Sequence, residues 1–128
     1  MLSVNDKGLL ENIISHAKRI EEKIDGVSKK QFDESIDLQE IICFNLFQIG
    51  ELAKNLSTTF IEMYGGVPWR KIKGLRDRIG HGYGTIEMDR VWATAKNDVK
   101  PLREYCEQII KENWNGLSVK LRPFLLLE

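Results

Sequence analysis

Two cysteines are all that the 128-residue chain contains, Cys43 and Cys106, and each sits in an apolar run, "IICFNLF" and "EYCEQII". So placed, they read as buried free thiols, which excludes a disulfide scaffold. Histidine is as scarce: His16 and His81 stand alone, and no Cys/His set has metal-ligand spacing, so neither a metal nor a cofactor is expected. Net charge is lacking too. Nineteen basic residues cancel nineteen acidic ones, and no global field draws the chain onto nucleic acid or anionic lipid. No apolar run approaches the ~20 residues of a bilayer crossing. The start "MLSVNDKGLL" has no basic segment followed by an apolar one, so no signal peptide is expected and the cytoplasm is the expected location. Strand-like alternation, internal repeats and low-complexity stretches are missing as well.

What remains is amphipathic helix. A composition of 42% hydrophobic and 30% charged residues suits one globular domain over 1–128. Leu9/Leu10, Ile13/Ile14, Ala17, Ile20 and Ile24 recur every three to four residues and predict a helix over 5–25, opened by Ser3 with Asp6 and closed by Gly26. His16 on it reads as a surface residue, and Lys29-Lys30 beyond it as solvent-facing. A second helix is predicted over 33–56. Its centre, "IICFNLFQIGELA", is apolar nearly all round and needs cover nearly all round, which places Phe44, Phe47, Gly50 and Glu51 at a homodimer interface. Gly50 costs about 1 kcal/mol of helix propensity, which a close helix crossing would explain. Glu51, a carboxylate in an apolar stretch, calls for a basic partner across the bundle or the dimer.

A short helix over 58–64, a "GGVPW" turn and a helix over 69–79 follow, with Pro68 suited to the start. Asp89 is a fitting N-cap for a last helix over 89–113. There Trp92, Ala95, Val99, Leu102, Cys106 and Ile109 form a seam, kinked by Pro101. Trp69 and Trp92 read as core. Residues 114–128 form an apolar C-terminal tail. The fold class is all-α, an up-and-down bundle of four to five helices.

One segment breaks the pattern. "GLRDRIGHGYG" (74–84) sets two arginines, an aspartate, a histidine and a tyrosine among four glycines. Arg76 and His81 lie about 140° apart on a continuing helix. Gly80 and Gly82 let the chain turn and bring them together, with Tyr83 following. Arginine offers a planar cationic fork for phosphate oxygens, and histidine moves protons near neutral pH. The pair suits metal-free cleavage of an RNA phosphodiester, with His81 handling the 2′-hydroxyl or leaving-group proton and Arg76 stabilising the charged transition state. Between 69 and 90 the basic residues Arg70, Lys71, Lys73, Arg76, Arg78 and Arg90 outnumber Asp77, Glu87 and Asp89, as a phosphate backbone requires; Lys73 and Arg78 are the candidate substrate-binding residues. A capping role for Arg76 and His81 at a helix end is the competing reading.

The arrangement Arg76-x4-His81-x-Tyr83 in "RDRIGHGY" resembles the Rx4HxY motif of HEPN-domain proteins, specifically the HepT-like (DUF86) group. "FQIGELAKNL" (47–56) and the block "VPWRKIKGLRDRIGHGYGTIEMDRVWATAKNDVKPL" (67–102) are similar to that family's second helix and motif region. The resemblance implies an all-α homodimer with the motif loops facing a shared cleft, and a metal-independent endoribonuclease. It also implies the toxin of a type VII-like toxin–antitoxin pair, whose MNT-type nucleotidyltransferase antitoxin transfers AMP to the motif tyrosine. Carried over, Arg76 and His81 are catalytic, Asp77 supports them, and Tyr83 is the AMP acceptor. The alternative is a non-catalytic HEPN binding module or dimerisation domain that partners a nucleotidyltransferase.

Overall fold

In the computed structural model, residues 2–80 and 87–127 are described, with side chains to Asn113. His81 and Tyr83, the histidine and tyrosine of the motif, lie outside the described residues. Seven helices and no strand occur among the described residues: α1 (Val4–Ile24), α2 (Lys29–Glu34), α3 (Ile36–Lys54), α4 (Thr58–Met63), α5 (Trp69–Gly80), α6 (Met88–Asn97) and α7 (Val99–Leu127). None is long and apolar enough to cross a membrane among those residues.

The helix count exceeds the expected four to five because two long apolar patterns are each broken once. Ser35 leaves helical geometry and caps α3, its hydroxyl accepting from the Leu38 N–H. α2 before it opens on a capping box between Ser28 and Gln31. The second break falls at Asp98, three residues ahead of Pro101. The proline ring cannot accept a helical carbonyl at position i−4 and lacks a donor, so the chain restarts and Pro101 occupies the first turn of α7. Glu87, not Asp89, is the N-cap of α6, and it makes no side-chain cap bond. Asp89 instead pairs with Lys29 at 2.7 Å, so Lys29 is engaged between α2 and α6 rather than facing solvent alone. α7 continues through Gly116 to Leu127, beyond the expected end near 113; one glycine costs only about 1 kcal/mol and does not stop a helix by itself.

The apolar stripe of α1 is fully buried at Leu10, Ile13, Ala17 and Ile20, against Ile42, Leu46 and Ile49 of α3 and Val99, Cys106 and Ile109 of α7. Both cysteines are buried and free, and burial pushes the thiols up to about 11 for Cys43 and about 12 for Cys106. Arg103 of α7 grips Glu21 of α1 through two hydrogen bonds of 2.6 and 3.0 Å. His16 is half-buried, its Nδ1 2.8 Å from Asn45 Oδ1, and the Asn45 amide donates back to the Ile41 carbonyl.

Asp6 is the one buried acid among the described residues. Ser3 accepts from its backbone N–H, while its carboxylate reaches across to the start of α4, accepting from the Ser57 N–H at 2.9 Å and the Ser57 hydroxyl at 2.7 Å. Burial alone would raise this carboxyl, but the bonds from Ser57 and Ser3 outweigh it and hold the group below its ordinary value. A folded value below the unfolded one gives stability that is present above the usual carboxylate range and is lost as pH falls through the folded value. Asp6→Asn is therefore expected to lower unfolding stability at neutral pH by about 1–2 kcal/mol. It should also flatten the loss of stability below about pH 4. Urea unfolding across a pH series checks both; an unchanged acid limb would refute the role given to Asp6.

Candidate active site

The site is built where α5 crosses α3. Trp69 fixes the start of α5: it is buried, stacks edge-on against Phe60 at 5.5 Å and donates from Nε1 to the Tyr64 carbonyl at 2.6 Å. Ile72, one turn on, completes the buried pair of this helix. The two helices then come together at Gly50. A Cβ built there would lie 2.6 Å from the Arg76 backbone nitrogen, 3.0 Å from Arg76 Cβ and 3.1 Å from the Ile72 carbonyl. Only a residue without a side chain permits this approach. The crossing inferred from Gly50 is thus real, and its partner is α5 of the same chain.

Gly50 is flanked by two other residues of the same α3 face. Glu51 Oε1 accepts from Arg76 Nε. Phe47 lies against the end of α5, its ring edge 3.2 Å from where a Gly80 Cβ would stand. So Phe47, Gly50 and Glu51 are engaged with α5, while Phe44 is 55% exposed. The basic partner that Glu51 calls for is Arg76.

Asp77 Oδ1 accepts from Arg76 Nη1 at 3.1 Å, so two carboxylates hold the guanidinium. The bonds to Asp77 and then Glu51 push its already high pKa further up, keeping it cationic. Nη2 makes no hydrogen bond among the described residues, which leaves the outer edge of the fork for an anion. Lys73 sits one turn earlier on the same side of α5 and is half-buried. Arg78 is about 200° round the helix from Arg76 and faces the opposite flank, where it lines a groove toward α6 and α7. Lys73 and Arg76 can therefore share one ligand; Arg78 and Arg76 project apart. No group of three or more potential metal ligands occurs among the described residues. Trp92 is half-buried against Phe32 at 5.1 Å, as expected of a packing residue.

The sequence profile of the family described as Ribonuclease HepT-like matches residues 13–109. The chain belongs to the HepT-like family. Among its relatives, a "Putative RNase" of Methanocaldococcus jannaschii is 31% identical over 118 residues, covering 87% of this chain and 95% of that one. A "Putative RNase" of Caldanaerobacter subterraneus subsp. tengcongensis is 29% identical over 103 residues, covering 80% and 92%. The "Probable ribonuclease HepT" of Thermococcus cleftensis is 29% identical over 105 residues, covering 82% and 96%. No solved structure gives a significant match. The HepT-like match spans α3, α5 and α6 and so includes every residue of the Arg76 cluster.

Proposed function

We propose that this HepT-like chain is a metal-independent endoribonuclease, the toxin of a toxin–antitoxin pair, acting through Arg76, His81 and, in support, Asp77. The observation that carries this reading is Arg76 itself: a cation braced by Glu51 and Asp77, its Nη2 without a hydrogen bond among the described residues, five residues before a histidine. In the reaction the RNA 2′-oxygen bonds to phosphorus as the bond to the 5′-oxygen breaks. His81 serves the proton transfers, taking the 2′-hydroxyl proton or supplying one to the departing oxygen. Arg76 stabilises the extra charge on the phosphorane-like transition state, and Lys73 binds a neighbouring phosphate. The products are a 2′,3′-cyclic phosphate and a 5′-hydroxyl.

The chain acts as a homodimer in this reading, and Ile41 and Phe44, exposed three residues apart on one face of α3, supply apolar surface for association. An MNT-type nucleotidyltransferase silences it by AMP transfer: the Tyr83 oxygen bonds to the α-phosphorus of ATP and pyrophosphate leaves. The added phosphodiester anion lies two residues from His81, where it competes for Arg76.

Expression of the wild type beside His81→Ala tests the nuclease. Growth arrest and RNA cleavage are expected from the wild type, with cleavage reduced by about 10²–10⁴-fold in the variant. Equal harmlessness of two folded dimers would refute the nuclease and leave a binding module. Tyr83→Phe should escape neutralisation by the partner; neutralisation without attached AMP would overturn the modification.

A further inference from the structure

The HepT-like match ends at residue 109, yet α7 runs on to Leu127. Asn113 marks where that helix leaves its support. Its Oδ1 accepts from the Leu2 N–H at 3.0 Å, and its Nδ2 donates to the Ile109 carbonyl at 2.8 Å. α7 lies antiparallel to α1, since Arg103 meets Glu21 and Asn113 meets Leu2. Residues 114–127 therefore continue about 20 Å past the start of α1, the helix on which α7 mainly rests. The buried seam of Val99, Leu102, Cys106 and Ile109 also stops there, because its next positions are Asn113, Gly116, Lys120 and Pro123. Apolar residues stand one place on instead, at Trp114, Leu117, Leu121 and Phe124, about 100° round the helix from that seam. A stripe so displaced needs cover from something other than the core of its own chain. The charged residues within 114–127 are Lys120 and Arg122, both basic.

α3 offers the complementary surface. Asp37, Glu40, Ile41 and Phe44 recur at helical spacing and, with Asn45, line an open groove of about 440 Å³. Ile41 and Phe44 are exposed, and neither Asp37 nor Glu40 makes an ion pair among the described residues. No cation lines the groove. Phe44 meets His16 edge-on at 6.5 Å, which places the groove alongside the second half of α1. That is about 20 Å from Asn113, and the tail of the same chain leaves in the opposite direction. We infer that segment 114–127 of one copy docks in the α3 groove of a second copy. Leu117, Leu121 and Phe124 pack against Ile41 and Phe44, and Lys120 and Arg122 face Asp37 and Glu40. A two-fold dimer makes this contact twice. The inference rests on the homodimer of the proposed function and names what covers its exposed face; the segment that does so lies outside the family match.

Carbodiimide cross-linking of the full chain, with isotope-labelled and unlabelled copies mixed, is the test. A link from the Lys120 amine to the Asp37 or Glu40 carboxyl is expected, in peptide pairs of mixed isotope composition that report two copies. Phe44→Lys should weaken dimerisation about tenfold or more in sedimentation, and Glu40→Lys by less, as an exposed ion pair contributes less. Combining Glu40→Lys with Lys120→Glu should recover part of the second loss, which misfolding of either variant would not produce. Lys120 links confined to single-isotope pairs would overturn the inference. So would the absence of any link from Lys120 to α3, as expected if the two tails pair with each other or dock on another protein. A dimer undiminished by a folded Phe44→Lys chain would also overturn it while sparing the homodimer; a full chain that stays monomeric would sink both.

Discussion

Gly50→Ala is expected to unseat α5. The added Cβ would stand 2.6 Å from the backbone nitrogen of Arg76, and backbone cannot rotate out of the way. The helices must move apart, lifting Arg76 from Glu51. Alanine gains about 1 kcal/mol in helix propensity, but overpacking typically costs about 1–3 kcal/mol, and contact with main chain places the cost at the upper end. The net effect is a loss of stability, larger for Gly50→Val. Gly8 supplies the contrast: a Cβ on it meets nothing within 4 Å. Gly8→Ala should therefore stabilise the fold by about 0.5–1 kcal/mol. Urea midpoints of the three variants decide the matter. A Gly50→Ala protein as stable as Gly8→Ala would show that the crossing has room to spare.

Arg76→Lys is expected to abolish most RNA cleavage while leaving the fold intact. Lysine keeps the charge, but its ammonium is a point with no planar fork. It cannot face Glu51, Asp77 and a substrate phosphate at once as Nε, Nη1 and Nη2 can. Removing a transition-state donor of this kind costs about 10²–10³ in rate, and Arg76→Ala should cost at least as much. Glu51→Gln retains an acceptor and removes the charge, so Arg76 remains near its place and the loss is smaller. The comparison needs kcat/KM on single-stranded RNA, with circular dichroism as the fold control. Cleavage by Arg76→Ala at the wild-type rate would end the case for this arginine.

The sequence pattern was most informative where one face of one helix meets one core. In α1, Leu10, Ile13, Ala17, Ile20 and Ile24 are all buried as their spacing requires. It was least informative at breaks that preserve phase. Val91, Ala95, Val99, Leu102 and Cys106 bury as one seam although the helix restarts after Asp98, because Asp98 stays near helical geometry. Ser35 was hidden for a related reason: Phe32 and Ile42 are apolar on either side of it, and a lone serine looks the same inside a helix as at its cap. Gly50 announced a close approach without naming the helix that makes it. Glu51 likewise announced a cationic partner, and Arg76 is 25 residues away. Residue spacing along one helix carries no information about which other helix it will cross. Asp6 shows the same limit: its local signal was the turn with Ser3, and its carboxylate serves Ser57, 51 residues on.

α5 has an uneven footing. Among the described helices it rests mainly on α3, with Trp69 and Ile72 as its buried residues, whereas α1 is gripped by both α3 and α7. Local opening free energy follows buried contact, so α5 is the segment expected to detach first while the α1–α3–α7 core stays closed. Amide exchange should be faster in α5 than in α1 by this measure. Catalytic competence then becomes a separate equilibrium from folding: a population of intact bundles with α5 lifted would carry Arg76 but no seated site. Anything that clamps α5 from its open flank would shift that population toward the seated form without touching the reacting groups.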